Sequence, residues 1–137
     1  MSDETLDSLI TSLHKAGTQA VVVQAEKVVK KAAVQVKKGW IANAKQSVAG
    51  AGHARAYPYS ITFDDPVRGP GHVEVEIGPD KDRPQGALGN LIEYGSRNNP
   101  PHWDGKRAAD AEAPVFEKNL ADMGAAIVAN TDYWTTP

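Results

Sequence analysis

Cysteine is absent from all 137 residues. That excludes disulfide scaffolds, iron–sulfur clusters, thiolate nucleophiles and all-cysteine zinc sites together. The four histidines, His14, His53, His72 and His102, fall in four different segments with no H-x-x-x-H spacing, so no metal site is expected. Long apolar runs are missing too. Nothing approaches the ~20 consecutive apolar residues of a membrane-spanning helix, and no membrane partner is expected. The opening residues Met-Ser-Asp-Glu-Thr-Leu are acidic and lack an apolar signal core, so export by the usual route is not expected either.

Catalytic patterns are equally scarce. Asp64-Asp65 and Asp80 with Asp82 pair acids, but in turn-forming stretches, where Asp serves local backbone hydrogen bonds. Glycines 50 and 52, and 69 and 71, make neither a dinucleotide fingerprint nor a Walker loop. No serine stands in a G-x-S-x-G context. No catalytic residue and no cofactor site is read from the chain, and a non-enzymatic protein is expected.

What is present suffices for a globular fold. Apolar residues make up 41% and charged residues 23%, within the range of chains that bury a core, and the length suits one domain over 1–137. The net charge of −2 hides an asymmetry. Residues 1–57 carry eight Lys/Arg against four Asp/Glu, giving +4; residues 58–137 carry seven against thirteen, giving −6. Halves of opposite sign can attract within one molecule or head to tail between copies.

The spacing predicts a long N-terminal helix over about 3–45. Leu6, Leu9, Ile10 and Leu13 share one helical face, and Ser2 or Asp3 can cap its start. Gly17 interrupts the pattern; beyond it Val21, Ala25, Val28, Val29, Ala32, Val36 and Trp40 share a broad face. Lys27, Lys30, Lys31, Lys37, Lys38 and Lys45 lie mainly opposite. Forty helical residues span about 60 Å, whereas a compact domain of this size is about 35–40 Å across. The helix must therefore break near Gly17 or lie partly against another molecule. Val23, Val34 and Ile41 project from the lysine side, as ordinary surface apolar residues or as partner contacts. The lysines themselves suit a solvated or partner-facing helix, or the phosphate backbone of a nucleic acid; against the latter stand one aromatic, Trp40, and no arginine in the segment.

An α+β fold follows. Residues 47–53 are small and linker-like. Residues 57–64 alternate, with Tyr57, Tyr59, Ile61 and Phe63 inward, and 72–77 alternate with Val73, Val75 and Ile77 inward. These predict a small antiparallel sheet of two to four strands within 57–94, the two runs pairing across a turn at 65–71. Residues 88–94 read as strand or helical turn, and two prolines keep 98–105 irregular. A C-terminal helix is expected over about 107–129, with Pro114 kinking or restarting it, and then a frayed tail, 130–137.

The block Gly86-Ala-Leu-Gly-Asn-Leu-Ile-Glu-Tyr-Gly-Ser96, with Pro100-Pro101-His102 and Ala113-Pro114-Val115-Phe116 after it, resembles the tail-completion, or neck, family of tail components of long-tailed bacteriophages. The order of elements matches over essentially the whole chain. A "P-V-D-T-G-x-L" segment common in that family is missing, and Ala49-Gly-Ala-Gly-His53 stands in its place, so no role of that segment carries over.

The resemblance implies a structural virion protein at the head–tail junction, assembled in the bacterial cytoplasm. It implies a homo-oligomeric ring, a hexamer by tail symmetry, around a channel that double-stranded DNA crosses without sequence-specific binding. The implied partners are head-connector or stopper proteins on one side and tail-terminator or tail-tube proteins on the other. A tail terminator capping the tube is the alternative within virion proteins, and a basic-helix nucleic-acid binder the alternative outside them. Residues expected at subunit or partner interfaces are Val23, Lys27, Val34, Ile41, Arg68, Glu93, Tyr94, Arg97, His102 and Trp103, with loops 64–72 and 97–106 meeting the neighbours above and below. Glu93 and Tyr94 serve equally well as internal determinants of the fold.

Overall fold

The computed structural model describes the backbone of residues 3–49, 52–69 and 72–129, and the side chains of 21–49, 52, 54–69, 72–127 and 129. The expected cap at Ser2 or Asp3, the side chains of the Leu6, Leu9, Ile10, Leu13 face and the tail 130–137 lie outside what is described. Helix α1 (Asp3–Ser47) is followed by four short strands, β1 (Ile61–Phe63), β2 (Val67–Gly69), β3 (His72–Glu74) and β4 (Ile77–Pro79). Then come the six-residue helix α2 (Gly89–Tyr94) and helix α3 (Asp104–Ala129). The class is α+β, as expected.

Gly17 does not break α1: the helix is continuous over 45 residues, about 67 Å. A lone glycine costs only about 1 kcal/mol, which the flanking turns absorb. Nor does Pro114 divide α3, which runs unbroken over 26 residues and starts three residues earlier than the sequence pattern suggests. Pro114 and Asp110, whose carbonyl loses its helical donor, both face solvent, so water can take the bond's place.

The strand expected over 57–64 is half right. Residues 57–60 form a 3-10 turn, with Pro58 in its first turn. The fixed φ of proline and its missing donor suit that position better than a paired strand. Tyr59 is consequently exposed, while Tyr57, Pro58, Ser60 and Ile61 are buried. The Ser60 hydroxyl donates to the Tyr57 carbonyl (2.6 Å), and the Gln85 side-chain oxygen accepts from the Ala56 and Tyr57 amides (2.7 and 3.1 Å).

The expected turn at 65–71 instead supplies a strand. β1 pairs antiparallel with β4 (Ile61↔Pro79, Phe63↔Ile77), and β2 with β3 (Val67↔Glu74, Gly69↔His72). Between the two ladders three residues, 64–66, face two, 75–76, so the register slips by one and the ribbon bends as at a β-bulge. The alternation over 72–77 holds: residues 73, 75 and 77 are half-buried and 74 and 76 exposed. Residues 88–94 are helical rather than extended.

The core sits under the C-terminal end of α1, where Ala44, Val48, Ala54, Tyr57 and Ile61 are buried and Trp40, Ile41 and Ile92 pack on them. α1 and α3 make the largest contact between elements. They run antiparallel: Asn43 bonds the Asp104 carbonyl, and Gly39 lies against Ala108. Small residues at this crossing let the helices approach closely.

Candidate functional site

The block that carried the family resemblance is the junction of α2 with α3. α2 ends at Gly95, whose φ of +82° no side chain adopts comfortably; a Cβ there would also lie 2.7 Å from the Pro101 nitrogen. The chain loops through 96–101, closed by a Ser96–Asn99 bridge, and returns to α2. There the His102 and Trp103 amides donate to the Ile92 and Glu93 carbonyls (3.0 and 3.2 Å), satisfying the C-terminal end of α2. Trp103, at φ +54°, precedes α3, and its carbonyl accepts the first helical bond from the Arg107 amide (2.9 Å). Its side chain has no oxygen to cap the helix. Glu93 does so from α2: both carboxylate oxygens accept from the Gly105 amide (3.1 and 2.8 Å), and one also accepts from Lys106 (3.2 Å). A buried carboxylate at the positive end of a helix dipole is well placed.

α1 braces the same junction. Asp104 is fully buried; its carboxylate accepts from the Ser47 hydroxyl (2.8 Å) and the Arg107 guanidinium (2.7 Å), and its carbonyl from the Asn43 amide (3.0 Å). His102 Nδ1 lies 3.0 Å from the Ser47 hydroxyl. Ser47, His102 and Asp104 thus meet, but in the wrong order for nucleophilic catalysis. The acid binds the serine directly and already holds an arginine, whereas an activated serine needs the histidine between them. Gly105 is required by Trp40, whose indole would lie 2.7 Å from a Cβ at that position. Trp40 in turn donates its ring N–H to the Tyr57 hydroxyl (3.3 Å). Burial, with the Glu93 and Asp104 carboxylates nearby, pushes the Tyr57 hydroxyl up to about 12 against the hydrogen bond from Trp40.

Three surfaces stand out among the described residues. The first lies over the junction: Tyr94, 63% exposed, meets Trp103, 39% exposed, edge to face at 5.6 Å, beside exposed Arg97, Pro100 and Pro101. Exposed aromatics with arginine have the composition of interface hot spots. The second is a cleft of about 700 Å³ between the β1–β4 ladder and α2, bordered by Asp64, Glu76, Asp80 and Asp82. Its acidic rim favours basic groups. The third is an apolar groove of about 970 Å³ lined by Val21, Val23, Val29, Val73, Phe116 and Leu120, with Arg68 at its edge.

The ten residues expected at interfaces therefore divide. Tyr94, Arg97, His102 and Trp103 gather at the junction, and Val23 and Arg68 meet at the groove. Lys27 is exposed on α1, and Val34 is half-buried rather than projecting into solvent. Ile41 does not project from the lysine face, because it packs on its own core. Glu93 is 4% exposed and is engaged by backbone amides, not by a basic side chain. Arg68 forms a two-pronged bond with Glu26 of α1 (2.9 and 2.7 Å), which holds the Glu26 carboxyl below its ordinary range. The loops expected at 64–72 and 97–106 are in part regular structure, since β2 occupies the first and α3 enters the second.

Of the lysine row, Lys37 lies over the Phe63 ring and Lys45 over the Tyr59 ring, so both are occupied within the chain rather than free to track phosphates. Residue-level reading missed Asn43, Asp104 and Gly105, and it placed Trp40 on the apolar face of α1 and Ser47 in a linker without assigning either to this junction. The available signal was Asp104-Gly105 following two prolines, a helix-start pattern, together with polar residues four apart at 43 and 47 on one helical face. Among the described residues no group of three or more His, Cys, Asp or Glu could hold a metal ion, and no helix is long and apolar enough to cross a membrane.

A family model described as "Bacteriophage HK97-gp10, putative tail-component" matches residues 7–95. That span includes most of α1, all four strands and α2, and ends at Gly95. No curated protein and no solved structure matches the chain.

Proposed function

Because the chain belongs to the HK97 gp10-like family of bacteriophage tail components, we propose that it is a structural subunit of the head–tail junction whose copies close a ring around the DNA channel. In this reading six copies stand between head-connector or stopper proteins and tail-terminator or tail-tube proteins, and DNA passes through without sequence-specific contacts. As a tail component the protein is part of the phage virion, where it meets other structural proteins.

The observation that carries the ring is an apolar groove that the described residues leave unfilled. It lies beside Val21 and Val23 and is lined by apolar groups of α1, β3 and α3. From the Asn43–Asp104 and Gly39–Ala108 contacts, the last described residue of α3 falls about level with residue 18 of α1, so the N-terminal part of α1 runs past the described part of α3. Head-to-tail contacts between copies cover such surfaces and close into rings when the rotation allows. The test is the mass of the purified chain by light scattering across a range of concentrations, with Val23→Asp as probe. The expected result is a defined multiple of 14.6 kDa that the substitution reduces. A monomer at every concentration overturns the reading.

A further inference from the structure

We propose that the occupant of the groove is the N-terminal end of α1 from a second copy of this chain, seated as a helix in a groove. This rests on the ring reading and specifies its contact. Four observations converge on it. The N-terminal part of α1 carries Leu6, Leu9, Ile10 and Leu13 at the i, i+3, i+4, i+7 spacing, the pattern by which an amphipathic helix anchors in an apolar trough. The lengths agree: the stripe from Leu6 to Leu13 covers about 10 Å of helix, and the groove-lining stretch of α1 from Val21 to Val29 about 12 Å. The trough is walled on three sides by different elements, with Val21, Val23 and Val29 from α1, Val73 from β3, and Phe116 and Leu120 from α3. A third helix closes the fourth side.

The charges agree as well. Residues 3–13 carry Asp3, Glu4 and Asp7 and no basic residue, a charge of −3. Among the described residues the groove is lined by Arg68 and by no acidic side chain, so an acidic helix end meets no like charge there. The groove cannot accept the end of its own α1, because a continuous helix cannot fold back on itself within eight residues. The contact is heterologous and so propagates around a ring.

The absence of cysteine makes the test clean. Leu9→Cys and Leu120→Cys are made in separate chains, purified with unchanged helical circular dichroism, mixed and oxidised. The expected product is a disulfide-linked pair containing one chain of each kind, formed several-fold faster than either chain links to itself. A ring-sized mass without that mixed product overturns this contact while the ring stands. A monomer without it overturns both. Linkage confined to one chain in the Leu9→Cys/Leu120→Cys double variant also overturns the proposal. So does faster mixed linkage of Leu120→Cys with Tyr133→Cys than with Leu9→Cys, which would seat the chain's C-terminal segment there instead.

Discussion

A carboxylate removed from water is costly unless its oxygens find donors, and Glu93 finds three bonds from two backbone amides at the start of α3. The amides need it as much as it needs them, since Trp103 offers no side-chain cap. Glu93→Ala is expected to lower unfolding free energy by about 3 kcal/mol, combining a lost charged cap with one buried and one partly buried donor left unpaired. Glu93→Gln is expected to cost about 1–2 kcal/mol, because one amide oxygen remains as acceptor. Urea unfolding of the three proteins measures both; a Glu93→Ala change under 0.5 kcal/mol would show that water replaces the cap. The residue type and its neighbour Tyr94 stood out in the sequence, but not the division between them. Glu93 turns inward and Tyr94 outward, a distinction made by a helix only six residues long and invisible to periodicity.

At the level of elements, legibility followed the strength of the local pattern. Both long helices and the alternation over 72–77 were readable because their apolar periods are sustained. Residues 57–63 alternated just as well, yet Pro58 converted the first half into a turn. The antiparallel pairing of the two runs was readable and holds at Phe63 opposite Ile77, but the register was not, because a one-residue slip between ladders leaves no mark in composition. Pro114 misled in the opposite direction: an internal proline is tolerated where its carbonyl partner, Asp110, reaches water. Pro114→Ala restores the missing helical bond and is expected to stabilise the protein by about 1–3 kcal/mol, read as a higher midpoint in thermal unfolding. An unchanged or lower midpoint would mean that the proline ring itself packs against something.

For the molecule as a whole, the bonds that join α1 to the α2–α3 junction span 57 and 61 positions, which is why no local reading found them. The charge asymmetry, by contrast, was plain in the sequence and is not consumed by the Arg68–Glu26 pair, which joins the minority charge of each half. The fully buried Tyr57 lies where these elements converge and gives the fold a pH limit. Its hydroxyl ionises near 10 when unfolded and at about 12 when folded, so the folded state holds the proton more tightly. The resulting stability is complete below pH 10 and is lost as pH rises through 12, a difference of about 3 kcal/mol. Urea midpoints at pH 9 and pH 12 for the wild type and Tyr57→Phe test this: the wild type should lose more between the two, and parallel losses would refute it.

The reciprocity between α2 and α3 carries one more implication. Each helix lends the other the groups its own end lacks, so neither terminus can be finished first. A single-turn-and-a-half helix has no independent existence in water, and here it need not. The stretch from Gly89 to Lys106 is tied end to end by these bonds. Whatever grasps the aromatic pair on its outside therefore grasps a rivet through three helices, and not a loop that could yield to the pull.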